Sequence, residues 1–145
     1  MLPAAMNVVD ELLEYNRRLV EAAAPVQIER RPAKQLAIVT CMDARVNLWR
    51  SLGLADGDAH VLRNAGGIVT DDVVRSLSLS QRTMGTREVM LIHHTNCGLE
   101  FPDLEAAVRG AIVAVRNCEL LPHRSNARGF IYDVETHAIR EVAPA

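Results

Sequence analysis

The chain has 145 residues, of which 49% are hydrophobic and 23% charged, and its formal net charge is −2. This length and composition are typical of one globular domain, which we expect to span residues 1–145. Acidic and basic residues are mixed along the chain, and only 3% of the residues are aromatic. We therefore expect neither a basic surface nor a stacking platform for nucleic acid.

The cysteine count, the length of the apolar runs and the first residues all bear on the cellular location of the protein. Three cysteines are an odd number, which fits a reducing environment and a metal or catalytic role better than a disulfide framework. The apolar runs are far shorter than the ~20 residues of a membrane-spanning helix. The first residues also lack the pattern of a secretion signal. We expect a cytoplasmic protein that has no membrane partner.

The first predicted element is an amphipathic helix within an N-terminal arm, residues 1–31. Apolar residues recur at helical spacing over residues 8–23 and form one stripe. This stripe must be covered, and the spacing leaves two possibilities open: it packs on its own domain or on a partner subunit.

Beyond Pro32 the pattern changes to short apolar runs separated by helices. Three runs are rich in branched residues without polar alternation, as in strands that are covered on both faces of a parallel sheet. They are residues 35–40, 59–62 and 88–93. A helix over 71–84, with Thr70 as its N-cap, is predicted between the second run and the third.

The remaining segments complete an α/β fold. A second helix is predicted for residues 101–115, and a terminal hairpin for 129–134 and 138–142. The sequence therefore predicts a mainly parallel β-sheet flanked by helices, with an N-terminal helical arm and a C-terminal hairpin.

Three possible metal ligands follow two of the predicted strands. Cys41 lies at the carboxyl end of the first strand, and His94 and Cys97 lie just past the end of the third. Ligands bind at this edge of open α/β sheets. Two thiolates and an imidazole suit tetrahedral zinc, and three protein ligands leave the fourth position of a catalytic site open.

Asp43 and Arg45 follow Cys41 at alternate positions, so the three side chains can project into one site. A carboxylate there can accept a hydrogen bond from zinc-bound water. A guanidinium beside it can orient the carboxylate and keep it ionised.

Arg63, at the end of the second strand, could bind an anion or hydrogen-bond within the fold. Cys118 is predicted to pack in the core, and His93 to point away from the site.

The candidate residues lie in segments whose order and spacing carry a family resemblance. These segments are CMDAR (41–45), HVLRNAGG (60–67), TDDVVRSLSLSQRTMGTRE (70–88) and HHTNCG (93–98). They resemble β-class carbonic anhydrases, particularly the short prokaryotic branch, which includes carbonyl sulfide hydrolase-like members. The resemblance implies the following roles: zinc ligands Cys41, His94 and Cys97; catalytic dyad Asp43 and Arg45; substrate pocket Gly66 and Gly67.

The same resemblance implies a carbonate dehydratase, a zinc lyase that hydrates CO2 to bicarbonate and a proton by attack of zinc-bound hydroxide. It also implies a homodimer or higher homo-oligomer in which the N-terminal helix contacts the neighbouring subunit. Two alternatives stay open. One is a hydrolase of a CO2 analogue, such as carbonyl sulfide or carbon disulfide, on the same zinc site. The other is a noncatalytic zinc- or bicarbonate-binding homologue.

The chain departs from the branch at two places. Asn96 stands where the branch usually has Asp. Between Gly98 and the helix near Phe101 the branch normally carries an additional loop and helix. We expect the shape of the pocket, rather than the zinc ligands, to choose among the possible substrates.

Overall fold

The computed structural model describes residue 5 and residues 7–145. The helices are α1 (Val8–Ala22), α2 (Leu48–Leu52), α3 (Asp71–Arg82) and α4 (Leu104–Arg116), with a short 3-10 turn at Ala65–Gly67. The strands are β1 (Leu36–Cys41), β2 (Ala59–Asn64), β3 (Glu88–His94), β4 (Arg128–Tyr132) and β5 (Ile139–Val142). Residues 1–4 and 6 of the predicted arm lie outside the described residues.

The five strands form one sheet in the order β2-β1-β3-β4-β5. The first four are parallel, and β5 pairs antiparallel with β4 as the terminal hairpin. The predicted α/β class, mainly parallel and flanked by helices, is therefore confirmed. The parallel placement of β4 beside β3 was not predicted, because the apolar pattern of a strand does not reveal its neighbour.

Both faces of the central strands β1 and β3 are largely buried, as their unbroken apolar runs predict. Val39 and Leu91 belong to a cluster that packs against α3 and α4, and both are fully buried. Ile38 faces the other side and packs with Leu48 of α2. Successive side chains of β1 thus enter two different cores, which explains why the strand shows no polar alternation.

The boundaries of the helices follow their caps. Thr70 accepts a hydrogen bond from the Val73 amide and begins α3, as predicted. The second predicted helix begins three residues later than expected, because Asp103 accepts from the Ala106 amide and is the N-cap. Pro102 disfavours a helical conformation at Phe101. The five-residue α2 was missed because so short a segment shows no clear periodicity.

The helix α1 forms as predicted, but its apolar stripe is not covered. Leu12 is 64% exposed and Leu19 52%, and no residue of α1 is buried. Within the part of the chain that the structure describes, the possibility that α1 packs on its own domain is therefore wrong. Among these residues no helix combines the length and the apolar character needed to cross a membrane.

The helix α4 lies closely against β4 at Gly129. A β-carbon at Gly129 would overlap Val108 and Ile112, two buried side chains of α4. The absence of a side chain at this position allows the helix to approach the strand. On the same helix Gly110 is exposed, and a β-carbon there would meet no atom within 4 Å.

We predict that Gly129→Val lowers the free energy of unfolding by about 1–3 kcal/mol, because it overpacks the contact between α4 and β4. Gly110→Ala is the matched control, and it should raise the free energy of unfolding by about 0.5–1 kcal/mol. Urea denaturation of both variants measures the difference. An unchanged midpoint for Gly129→Val would contradict the close packing described here.

Candidate metal centre

The ends of two neighbouring strands bring together the three predicted ligands. Cys41 is the last residue of β1 and His94 the last residue of β3, and these strands pair in parallel. Cys97 approaches from the loop that follows β3. The ligand atoms of the three residues all lie within 4.8 Å of one another. One metal ion could therefore be held by all three.

The hydrogen bonding of His94 leaves one ring nitrogen available. Its Nδ1 lies 2.7 Å from the backbone oxygen of Thr95. Because a carbonyl oxygen can only accept, Nδ1 carries the proton and Nε2 carries the free lone pair. His94 Nε2 is buried and has no hydrogen-bond partner among the described residues. A metal ion would satisfy a buried nitrogen oriented in this way.

The two cysteines complete a donor set that suits a soft metal. Cys41 is 4% exposed, and its Sγ accepts a hydrogen bond from the Gly66 amide at 3.3 Å. Burial raises the pKa of the Cys97 thiol, and the neighbouring Cys41 acts in the same direction. A divalent cation would oppose this effect by stabilising both thiolates. The residues present therefore fit a metal that prefers thiolate and imidazole ligands.

Asp43 and Arg45 form a bidentate ion pair beside the cluster. Arg45 Nε donates to Asp43 Oδ1 at 3.0 Å, and Arg45 Nη2 donates to Asp43 Oδ2 at 2.8 Å. These hydrogen bonds hold the pKa of the Asp43 carboxyl well below its usual range, although burial opposes them. Asp43 therefore stays ionised at neutral pH. Its Oδ2 lies 3.7 Å from His94 Nε2, which is too long for a hydrogen bond.

Two arginines connect the site through backbone oxygens. Arg45 Nη2 also donates to the Asn96 oxygen at 2.8 Å and so reaches the loop that carries Cys97. Arg63 donates to the Cys41 oxygen at 2.8 Å and to the Asp43 oxygen at 2.7 Å. Of the two possibilities for Arg63, the structure shows the hydrogen-bonding one. Sequence reasoning missed these partners, because a backbone acceptor has no signature in side-chain spacing.

The two predicted pocket glycines have different surroundings. Both have left-handed backbones, with φ of 86° at Gly66 and 66° at Gly67. Gly66 lies in the wall of a cavity beside the cluster. Gly67 packs behind it, where a β-carbon would lie 3.0 Å from the carbonyl carbon of Thr40. Gly67 thus supports the strand end that carries Cys41.

The cavity beside the cluster has a volume of about 310 Å³ and a largely apolar wall. It is lined by Cys41, Met42, Asp43, Ala65, Gly66, Cys97, Gly98 and Leu99. The shortened segment after Gly98 therefore supplies part of the wall through Leu99. Met42 and Leu99 were not predicted. Met42 lies between two candidate residues, and that position was the only signal available.

Two residues that were predicted to be structural lie outside this cavity. His93 is 2% exposed, and its ring stacks on Phe101 with 5.4 Å between the centroids. Cys118 packs against the main core cluster, as predicted.

Comparisons with known proteins identify the family that this chain is similar to. The family model described as carbonic anhydrase matches residues 36–117. A protein named beta-carbonic anhydrase 1, from Mycobacterium tuberculosis, is 37% identical over 96% of this chain and 100% of its own length. A carbon disulfide hydrolase from an Acidianus species is 30% identical over 92% of this chain and 90% of its own length.

A solved structure gives the same result for the fold. The carbonic anhydrase from Streptococcus mutans superposes with a TM-score of 0.90 and 38% identity, covering 96% of this chain and 99% of that one. The family model spans more than half of the chain, and these relatives align over nearly all of it. The chain therefore belongs to the β-carbonic anhydrase family.

Proposed function

We propose that this protein is a zinc-dependent carbonate dehydratase, a lyase that interconverts CO2 and bicarbonate. The observation that carries the proposal is the buried, unpartnered Nε2 of His94. It lies with two cysteine sulfurs in one cluster, beside a carboxylate that Arg45 holds in place. The family relationship supports the same reading. A cytoplasmic location is also part of the proposal, because an odd number of cysteines fits a reducing compartment.

Cys41, His94 and Cys97 would hold the zinc ion, as their donor atoms suit its tetrahedral preference. When bound, zinc would supply a Lewis acid that lowers the pKa of water from its bulk value toward neutrality. His94 Nδ1 donates to the Thr95 oxygen, and the Gly66 amide donates to Cys41 Sγ; hydrogen bonds of this kind orient metal ligands.

In this proposal Asp43 orients the attacking water. An ionised carboxylate can only accept, so it takes a hydrogen bond from the water and leaves the attacking lone pair directed elsewhere. Arg45 occupies both carboxylate oxygens, which fixes the plane of the carboxylate as well as its charge. Protonation of Asp43 would remove this control, and the depressed pKa prevents it at neutral pH.

The cavity wall favours a small apolar substrate over a charged product. Met42, Ala65 and Leu99 offer no strong hydrogen-bonding side chain to retain bicarbonate. CO2 has no net charge and loses little solvation on entering such a space, whereas an anion is better solvated in water. We infer that the wall helps substrate to enter and product to leave.

Hydrolysis of carbon disulfide is the second candidate function. The relative from Acidianus carries that name and aligns over most of both chains. The thioether of Met42 adds a polarisable group to the cavity wall, which suits a sulfur-containing substrate. The same ligands and the same dyad would serve either reaction, so the choice depends on the shape of the pocket.

We predict rapid CO2 hydration in stopped-flow assays over a pH series by purified protein that contains one zinc per chain. Removal of zinc with a chelator should abolish the rate, and added zinc should restore it.

Asp43→Asn should lower kcat/KM by about 10²-fold while zinc remains bound, because the amide no longer acts as a pure acceptor. Asp72→Asn is the matched control, since Asp72 also pairs with an arginine but is 77% exposed.

Full zinc occupancy without CO2 hydration would contradict the main proposal. Release of sulfide from carbon disulfide or carbonyl sulfide under the same conditions would then identify the second candidate. Zinc binding with neither activity would favour a noncatalytic homologue.

We also propose a homodimer or higher homo-oligomer in which α1 packs on a second copy of the chain. The charged residues Glu14, Arg17 and Glu21 pair with one another along the helix. Apolar residues form a stripe on another face of the helix, which includes Val8, Leu12 and Leu19, each more than half exposed. A helix with so large an uncovered apolar stripe is typical of an interface.

We predict that Leu12→Lys weakens self-association at least about tenfold, because it places a charge in the apolar stripe. Glu21→Lys, on the charged side of the same helix, should leave the assembly intact. Light scattering coupled to size-exclusion chromatography over a dilution series measures both. A wild-type chain that remains a monomer at all concentrations would refute the proposed assembly.

A further inference from the structure

Asn96 has an unusual backbone conformation in the loop between two of the metal-cluster residues. Its φ is +52°, in the left-handed region, and the residue is exposed. Residues other than glycine rarely adopt this region, because their β-carbon crowds the backbone. Asparagine and aspartate tolerate it best among them. We therefore expect a contact made by Asn96 to account for its left-handed conformation.

The contact that explains the conformation is made by the backbone of Asn96. Its carbonyl oxygen accepts a hydrogen bond from Arg45 Nη2 at 2.8 Å. Among the described residues, the hydrogen bonds include none from the Asn96 side chain. The same Nη2 donates to Asp43 Oδ2 at 2.8 Å, so one nitrogen joins the carboxylate to the loop.

This arrangement gives the guanidinium a third point of attachment. Asp43 and Arg45 are two residues apart, and the Asp43 carboxylate accepts from the Arg45 backbone amide at 2.8 Å as well as from the guanidinium, so the two form one local unit. The Arg45 side chain is 45% exposed, so packing alone does not fix it. The Asn96 carbonyl ties the pair to the loop that follows β3. The Arg45 amide and Arg63 hold Asp43 from its own segment, and the turn at residue 96 adds the contact that joins the guanidinium to the loop carrying Cys97.

We propose that Asn96 is a positioning residue: its left-handed turn directs its carbonyl to Arg45 and thereby fixes Asp43 beside Cys41, His94 and Cys97. This inference rests on the proposed function for its kinetic consequence.

The experiment compares substitutions that differ in their tolerance of positive φ. Asn96→Val disfavours the turn, and we expect kcat/KM to fall roughly tenfold or more. Asn96→Gly accepts the turn and should restore kcat/KM to within about fivefold of wild type. Gln35→Val is the matched control, because Gln35 is exposed and also has φ of +52°, but it precedes β1 at the opposite edge of the sheet. It should cost similar stability and leave kcat/KM unchanged.

A spectroscopic readout separates positioning from a general structural effect. In zinc-loaded protein, hydrogen exchange of the Arg45 Nη2 protons, which donate to the Asn96 oxygen, should become about tenfold faster in Asn96→Val when it is followed by NMR. It should not change in Gln35→Val. This readout does not require activity, so it tests the inference even if the protein fails to hydrate CO2. Unchanged Arg45 exchange in Asn96→Val would overturn the inference.

A double-mutant cycle with Arg45→Ala tests whether Asn96 acts through Arg45. The zinc Kd is measured by competition with a chelator, and we expect Asn96→Val to raise it roughly tenfold in the wild-type background. In the Arg45→Ala background the same substitution should change the Kd by less than about twofold, because the contact is already lost. A full tenfold effect in both backgrounds would show that Asn96 acts directly on Cys97, and it would overturn the proposed route.

Discussion

The parallel pairing of β1 with β3 is the constraint on which the site depends. Thr40 aligns with Ile92 in this register, and each strand then ends on a candidate ligand within two residues. Because parallel strands end at the same edge, Cys41 and His94 meet there although more than fifty residues separate them in the chain. The hydroxyl of Thr40 strengthens this pairing by donating to the Ile92 oxygen at 2.9 Å in the core.

Backbone groups, rather than side chains, set the fine geometry around the cluster. The Thr95 oxygen accepts from His94 Nδ1, and the Thr95 amide in turn donates to the Tyr132 oxygen at 2.9 Å. The Thr95 hydroxyl also accepts from the Val134 amide at 3.1 Å. The end of β4 therefore holds the residue that selects the tautomer of His94. A metal ligand is oriented in this way by a strand that contributes no ligand of its own.

The electrostatics of the site explain why a cation and an anchored carboxylate belong together. Two cysteine thiols and Asp43 concentrate potential negative charge in a small, mostly buried volume. Arg45 compensates Asp43 directly, whereas burial raises the pKa of the Cys97 thiol. A divalent metal would supply the charge that the thiolates need. The substrate side of the cavity stays apolar, so the charges are confined to the groups that would act on the reaction.

The α/β class, the positions of the main strands along the chain and the residues of the cluster could be predicted from the sequence. Unbroken apolar runs identify buried strands, and Cys41, His94 and Cys97 carry side chains whose chemistry is specific. The sequence also placed Asp43 and Arg45 together, because alternation along an extended segment is a local property. The start of α4 was misplaced, since the cap at Asp103 competed with a plausible apolar periodicity that began at Phe101.

Contacts that involve backbone oxygens or distant segments could be identified only in the folded chain. The bonds from Arg63 to Cys41 and Asp43, and from Arg45 to Asn96, depend on where carbonyls point after folding. Leu99 enters the cavity wall because the short loop turns back toward Gly66. The exposure of the α1 stripe was equally undecidable, because periodicity shows that a face is apolar but not what covers it. The residue types determine the local chemistry, whereas these contacts depend on the path of the whole chain.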